Sequence, residues 1–344
     1  MKFDPQKIIR QNIKALKPYS SARDDFDGEA SVFMDANENP FPSSYNRYPD
    51  PHQRKLKEKI AEIKNVNVDQ IFLGNGSDEP IDLLIRAFCE PGIDEILAPQ
   101  PTYGMYSVSA AINNVKVNTV PLSLGFDIDV EATLAAITPK TKLLFLCSPN
   151  NPSGNLLSSE KMVVLLKNFS GLIVIDEAYI DFSGSESFLK KLKDDDNLVI
   201  LQTLSKAWGL ASLRLGMCFA SREIISVLNK IKPPYNISGV TQRIVIDQLN
   251  DARRKNKAVE EILMQRADLI KKLGLLNIVS KIYPSDANFI LVRMTNAKRI
   301  YSALLAAGIV VRDRSTVLLC DDCLRITVGT IEENKKLTDT LQKL

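Results

Sequence analysis

The chain predicts an α/β fold in which a mainly parallel sheet, flanked by helices, carries a smaller C-terminal α+β unit. Three observations predict it. From about residue 55, short apolar runs alternate with helical patterns, the signature of βα units. The runs are continuous rather than alternating, as expected of strands buried on both faces of a parallel sheet. Beyond Gly216 the pattern changes to a long amphipathic stretch followed by interspersed strands and helices. With 344 residues and 45% hydrophobic content, the chain is large enough for two domains around sizeable cores. The expected division is an N-terminal arm (1–30), a large domain (31–240) and a small C-terminal domain (241–344).

Taken in order, the arm carries helical periodicity at Ile8, Ile9, Ile13 and Leu16, then a polar stretch through Asp25. Phe33-Met-Asp-Ala-Asn-Glu-Asn-Pro-Phe-Pro42, a short apolar approach ending in turn formers, and Asn46-Arg-Tyr-Pro-Asp-Pro51 read as loops. Strands are expected at 70–73, 95–98, 115–120, 142–147, 172–175 and 198–201. In the C-terminal part, an amphipathic helix over about 241–273 precedes a strand at 288–292, a helix near 298–307, strands at 309–314 and 323–329, and a charged terminal helix.

Composition narrows the function. Forty-four Lys plus Arg against 41 Asp plus Glu leave a net charge of +3, too small to argue for nucleic acid or an anionic membrane. The N-terminus has no continuous apolar segment and no later run is long enough to span a bilayer, so a cytoplasmic protein is expected. Five cysteines, an odd number, suit reduced thiols. Cys320-Asp-Asp-Cys323 lacks the second pair or neighbouring histidine that a metal site needs. His52 is the single histidine, which leaves no scope for a His-rich metal centre and little for a Ser-His-Asp triad.

In open parallel sheets ligands bind outside the carboxyl ends of the strands, so function is expected just after each apolar run. Thr203-Leu-Ser-Lys-Ala-Trp-Gly-Leu-Ala-Ser-Leu-Arg-Leu-Gly216 follows the last of them. Burial of Lys206 there would favour a neutral amine able to attack an aldehyde and form a Schiff base. Ser205 and Thr203 offer hydroxyls, and Arg214 a bidentate fork, to a phosphate. Gly74-Asn-Gly-Ser-Asp-Glu79 is a glycine turn feeding a helix N-terminus, where Ser77 and Asp78 either cap the helix or border an anion site. Tyr103 follows the next strand and is equally readable as a core residue or a stacking platform. Asn151, in a rigid Pro-rich turn, could donate to a ring oxygen, which Tyr179 could share. Asp176 ends a buried strand, where a carboxylate needs a cationic partner. Arg312, Arg314 and Arg325 lie at strand ends, and more than one guanidinium would suit a dianion.

Together these segments resemble the fold-type I pyridoxal phosphate enzymes, specifically the class II aminotransferases of the histidinol-phosphate aminotransferase family. The resemblance runs through Lys17-Pro-Tyr-Ser-Ser-Ala-Arg23, Ala36-Asn-Glu-Asn-Pro40, Arg47-Tyr-Pro-Asp-Pro51, Gly74 to Glu79, Ser148-Pro-Asn-Asn-Pro152, Asp176-Glu-Ala-Tyr179, Ser205-Lys206, Arg214 and Cys323-Leu-Arg-Ile-Thr-Val-Gly-Thr330. It implies that Lys206 carries pyridoxal 5'-phosphate, that Asp176 pairs with the pyridine nitrogen, that Asn151 and Tyr179 bind the ring oxygen, and that the ring stacks on Tyr103. It implies a phosphate held by Ser77, Asp78, Ser205 and Arg214, with Tyr48 arriving from the second subunit of a homodimer. Tyr19, Arg312 and Arg325 would hold a substrate phosphate. Ser212 departs from the usual Gly-Leu-Ala-Gly-x-Arg pattern, and a tighter turn is expected there.

The implied reaction moves an amino group between L-histidinol phosphate and 2-oxoglutarate, running in reverse in histidine biosynthesis. No metal, nucleic acid or membrane partner is expected. The same frame serves aromatic amino acid aminotransferases and phosphothreonine decarboxylases, and a regulatory module that keeps the cofactor site without turnover is a third reading.

Overall fold

The computed structural model describes residues 3–19 and 31–344, so most of the polar half of the expected arm, including Ser20 to Arg23, lies outside the described residues. The helices are α1 (Gln11–Ala15), α2 (Arg54–Lys64), α3 (Asp78–Phe88), α4 (Met105–Ile112), α5 (Val130–Ala135), α6 (Ser159–Asn168), α7 (Arg222–Ile231), α8 (Gly239–Leu249), α9 (Ala252–Leu273), α10 (Ala297–Ala306) and α11 (Ile331–Leu341). The strands are β1 (Ile71–Asn75), β2 (Glu95–Leu97), β3 (Lys116–Asn118), β4 (Thr141–Cys147), β5 (Leu172–Asp176), β6 (Leu198–Thr203), β7 (Leu215–Phe219), β8 (Val279–Ile282), β9 (Phe289–Met294), β10 (Arg312–Asp313) and β11 (Cys323–Thr327).

Among the described residues, seven strands form one sheet in the order β1-β7-β6-β5-β4-β2-β3. All pair in parallel except β7, which runs antiparallel to both neighbours, β1 and β6. Sequence reading did not find β7: its run, Leu215-Gly-Met-Cys-Phe219, begins inside the segment that carries Lys206 and Arg214. Because β7 returns alongside β6, with Thr203 opposite Gly216, that segment is a hairpin loop.

The period of two along each strand sorts side chains to the two faces. On β4, Leu144 and Leu146 join one core, while Leu143, Phe145 and Cys147 join the core on the other face. On β5, Ile173 and Ile175 take the first face and Leu172 and Val174 the second. Asp176 therefore emerges beside Cys147, on the face covered by α3, α4 and α7. The next residue, Glu177, turns the other way and accepts hydrogen bonds from Ser187 Oγ, the Phe188 N–H and Gln202 Nε2.

A second sheet, β10-β11-β9-β8, is antiparallel throughout and packs with α9, α10 and α11 around Leu269, Ile290, Val292, Leu324 and Leu337. Two expectations need correction. The helix expected over about 241–273 is two helices: Asp251 accepts a hydrogen bond from the Arg254 N–H and so caps a fresh start. The strand expected over 309–314 is ladder-paired only at Arg312–Asp313. Ile9 and Ile13 of the arm are buried in the core under α3 and α7, and Arg10 pairs with Glu90 at 3.2 Å. No helix among the described residues is long and apolar enough to cross a membrane.

Candidate active site

A cleft opens at the carboxyl edge of the large sheet, lined by Ser77 and Asp78 after β1, Tyr103 after β2, Asn151 after β4, Asp176 and Tyr179 at the end of β5, and Ser205, Lys206 and Arg214 in the β6–β7 loop. Nine of the residues singled out from sequence thus meet in one place. The antiparallel insertion of β7 explains Arg214's presence: a strand that starts at the carboxyl edge delivers its first residues there.

The floor is Asp176, 2% exposed. The Tyr106 hydroxyl donates to its Oδ2 at 2.8 Å and the Ala178 N–H to its Oδ1 at 3.0 Å. Burial raises its pKa to about 6, against the pull of those two donors. Lys206 is partly desolvated, and burial with the Arg325 guanidinium nearby pushes its ammonium below the ordinary lysine value. Its Nζ lies 5.6 Å from the Tyr179 ring centroid. Asn151 Nδ2 donates to the Tyr179 hydroxyl at 3.3 Å, so the two residues expected to share one oxygen are already neighbours.

The far end of the cleft is built for close approach. Gly76 has φ +74°, and a Cβ there would fall 2.5 Å from Arg214 Nη2. Gly216 on β7 is tighter still, since its Cβ would meet the Gly76 carbonyl carbon and the Ser77 nitrogen at 2.3 Å. Arg214 itself has φ +51° and closes a single 3-10 turn over Ala211–Leu213, which includes Ser212. Its Nη2 sits 3.7 Å from Asp78 Oδ2, and Asp78 Oδ1 accepts from the Tyr103 hydroxyl at 3.0 Å. The Asp78 carboxylate therefore aligns Arg214 and Tyr103. The two hydroxyls proposed from sequence differ: Thr203 Oγ1 donates to the Leu215 carbonyl and accepts from the Ser205 N–H, whereas Ser205 Oγ is buried with no partner.

Arg325 reaches the cleft from the small sheet, donating through Nη1 to Asn151 Oδ1 at 2.5 Å. Arg312 is its direct cross-strand partner, so both side chains leave the same face of the ladder. Burial and these two guanidiniums lower the value of Arg314, two residues on from Arg312. The Nε atoms of Arg314 and Arg325 are buried without partners. Tyr48 and Tyr19 are not brought to the cleft within one chain. Tyr48 is 51% exposed and stacks on Tyr235 with ring centroids 4.5 Å apart; Tyr19 is 73% exposed. Sequence reasoning missed Tyr106, since a tyrosine on a helix face reads as ordinary core, and Cys147, which ends β4 against Asp176.

Residues 31–341 match the aminotransferase class I and II family. A histidinol-phosphate aminotransferase of Cytophaga hutchinsonii is 54% identical over 99% of both chains. The crystal structure of the histidinol-phosphate aminotransferase from Clostridium acetobutylicum superposes with a TM-score of 0.80 at 28% identity, covering 86% of this chain and 90% of that one. The enzyme from Sinorhizobium meliloti, in complex with pyridoxal-5'-phosphate, shares the fold at a TM-score of 0.78 and 23% identity, over 86% and 82% of the two chains. The chain belongs to the aminotransferase class I and II family and, within it, to the histidinol-phosphate aminotransferases.

Proposed function

We propose that this chain is a pyridoxal 5'-phosphate-dependent transaminase that exchanges an amino group between L-histidinol phosphate and 2-oxoglutarate. The observation that carries the reading is the convergence of Lys206, Asp176, Gly76, Ser205 and Arg214 on one cleft. The residues fit the cofactor. Asp176 is a buried carboxylate with neutral donors only, which a protonated ring nitrogen would complete. Ser205 Oγ has no partner, which a phosphate oxygen would supply. The absence of a Cβ at Gly76 brings Arg214 to the same point.

When bound, pyridoxal 5'-phosphate supplies an aldehyde for the amine and a ring that accepts electrons from the neighbouring C–H bond. Lys206 Nζ would be the attachment point and, once free, the base that moves a proton between the two carbons flanking the transferred nitrogen. Asp176 holds the ring nitrogen's proton. Asn151 and Tyr179 orient the ring by its oxygen, and Tyr103 covers one face. Ser77, Ser205 and Arg214 hold the cofactor phosphate, with Asp78 aiming Arg214.

Arg312 and Arg325, with Tyr19, bind the phosphate of the amino donor. Two guanidiniums on one ladder face, set against buried nitrogens that lack partners, favour a dianionic group over the uncharged ring of an aromatic amino acid. The second subunit of a homodimer contributes Tyr48. Support comes from the exposed apolar side chains of the segment that leads into it, with Val32, Met34, Phe41 and Tyr45 all at least 70% exposed. Small molecules are the substrates, and the cytoplasm is the compartment.

Titration of the loaded enzyme with L-histidinol phosphate, L-phenylalanine and phosphothreonine tests this. A cofactor absorbance change with histidinol phosphate, reversed by 2-oxoglutarate, is expected. Preferential reaction with phenylalanine would replace the substrate, release of carbon dioxide from phosphothreonine would replace the reaction, and a protein that takes up no cofactor would end the reading.

A further inference from the structure

Asp176 has one side-chain partner, and it comes from outside the loops that build the rest of the cleft. Tyr106 lies on α4, 0% exposed, with its ring stacked on Phe145 of β4 at 4.7 Å between centroids and edge-on to Tyr103 at 5.6 Å. Two aromatic contacts and the helix backbone thus fix where its hydroxyl points. That hydroxyl donates to Asp176 Oδ2 at 2.8 Å, with the Cys147 thiol lying against it. Cys147 is turned away from Asp176 as a donor, since its Sγ–H points to the Pro149 carbonyl at 3.4 Å.

We propose that Tyr106 is a positioning residue for the cofactor: its hydroxyl locks the Asp176 carboxylate in one rotamer and keeps it ionised, so that it meets the ring nitrogen as an anion. The inference rests on the functional reading above. A buried carboxylate carries a desolvation penalty that favours its neutral form, and a donor aimed at the charged form opposes it. The Ala178 N–H fixes Oδ1, Tyr106 fixes Oδ2, and the two together leave the carboxylate no freedom about its last torsion. The other ionisable groups facing Asp176 are Asp78 at the start of α3, Lys206 in the β6–β7 loop, Cys147 at the end of β4, and Tyr103 and Tyr179 at the cleft walls. Asp78 opposes ionisation of Asp176 and Lys206 favours it, so neither loop charge can substitute for a neutral donor held in place by packing.

The test measures dissociation of pyridoxal 5'-phosphate from reconstituted enzyme across pH 5 to 9 for wild type, Tyr106→Phe, Asp176→Asn and the double variant. Tyr106→Phe is expected to weaken binding about tenfold at neutral pH and to move the acidic limb of the binding profile up by about one pH unit, in line with a hydrogen bond to a charged group. In the Asp176→Asn background the same change is expected to alter binding less than about twofold, because no charge remains to hold. Equal weakening in both backgrounds would make Tyr106 a packing residue and overturn the proposal, as would a Tyr106→Phe profile that superposes on wild type. Failure of wild type itself to bind the cofactor would instead refute the functional reading. Should Tyr106→Phe not fold, site-specific 3-fluorotyrosine at 106, a stronger donor of nearly equal size, is expected to move the acidic limb down, and an unmoved limb would count against the proposal.

Discussion

Asp176→Asn should stabilise the cofactor-free protein, although it removes the carboxylate proposed to meet the cofactor's ring nitrogen. The carboxyl stays protonated in the folded chain up to about pH 6, against an ordinary value of 3.8. That gap corresponds to a penalty of about 3 kcal/mol on the ionised form in the folded state. The sign follows from the direction: below 3.8 the group is neutral in both states and costs nothing. Between 3.8 and 6 the unfolded chain ionises first, so the penalty grows with pH, and above 6 it is complete. Asparagine cannot ionise, and its amide can still donate to Tyr106 and accept from the Ala178 N–H. Urea unfolding of cofactor-free wild type and variant from pH 4 to 8 should show the variant gaining on wild type through pH 6 and then holding a lead of about 3 kcal/mol. With cofactor present the order should reverse, because the ring nitrogen supplies the missing cation. Parallel pH profiles for the two apo proteins would refute the reasoning, since they would mean that the buried carboxyl titrates no differently from an exposed one.

Four further outcomes follow from the same geometry. Lys206→Ala should lower transamination by more than about 10⁴-fold, since attachment and proton transfer are lost together, and should remove the lysine-dependent cofactor absorbance; appreciable turnover would contradict the role. Ser205→Ala should stabilise the apo protein by about 1 kcal/mol by deleting an unpartnered buried hydroxyl, yet weaken cofactor binding about tenfold, as read by thermal melts and titration. Arg325→Ala should raise KM for the phosphorylated amine about 10- to 100-fold while cofactor affinity changes much less; equal loss of both would place Arg325 in a structural role through Asn151. Gly216→Ala should destabilise the protein by about 1–3 kcal/mol and loosen the cofactor phosphate, because its Cβ would press on the backbone of Gly76 and Ser77, which has nowhere to give.

Apart from the half-exposed edge strand β3, the parallel strands were legible because each is an apolar run buried on both faces, and the residues after them were legible as chemistry because strand ends are where an open sheet binds ligands. β7 was not, because Leu215-Gly-Met-Cys-Phe219 is indistinguishable by periodicity from its neighbours and nothing local marks its reversed direction. The break between α8 and α9 was hidden for a related reason: Asn250 and Asp251 are acceptable on an exposed helix face, and only the cap to Arg254 shows that the chain restarts. The contrast between Ser205 and Thr203 lay beyond sequence too. Both are hydroxyls at the end of a strand, and only the β7 carbonyl at Leu215 engages one and leaves the other free. Tyr19 and Tyr48 carry a family pattern, but among the described residues neither lines the cleft.

The β6–β7 hairpin also works as a caliper. Lys206 and Arg214 stand on the two arms of a single loop whose base is clamped by the pairing of Thr203 with Gly216, in the middle of a sheet held by β5 on one side and β1 on the other. The distance between the amine and the guanidinium is therefore set by strand register and not by loop sequence. Inserting one residue between 207 and 213 would bulge outward without moving either jaw, whereas slipping the register of β7 by one residue would turn Arg214 to the opposite face of the sheet. Ser212 lies on the loop between the jaws and does not set the span they measure. A ring lacking its phosphate would fill one jaw and leave the other closing on water.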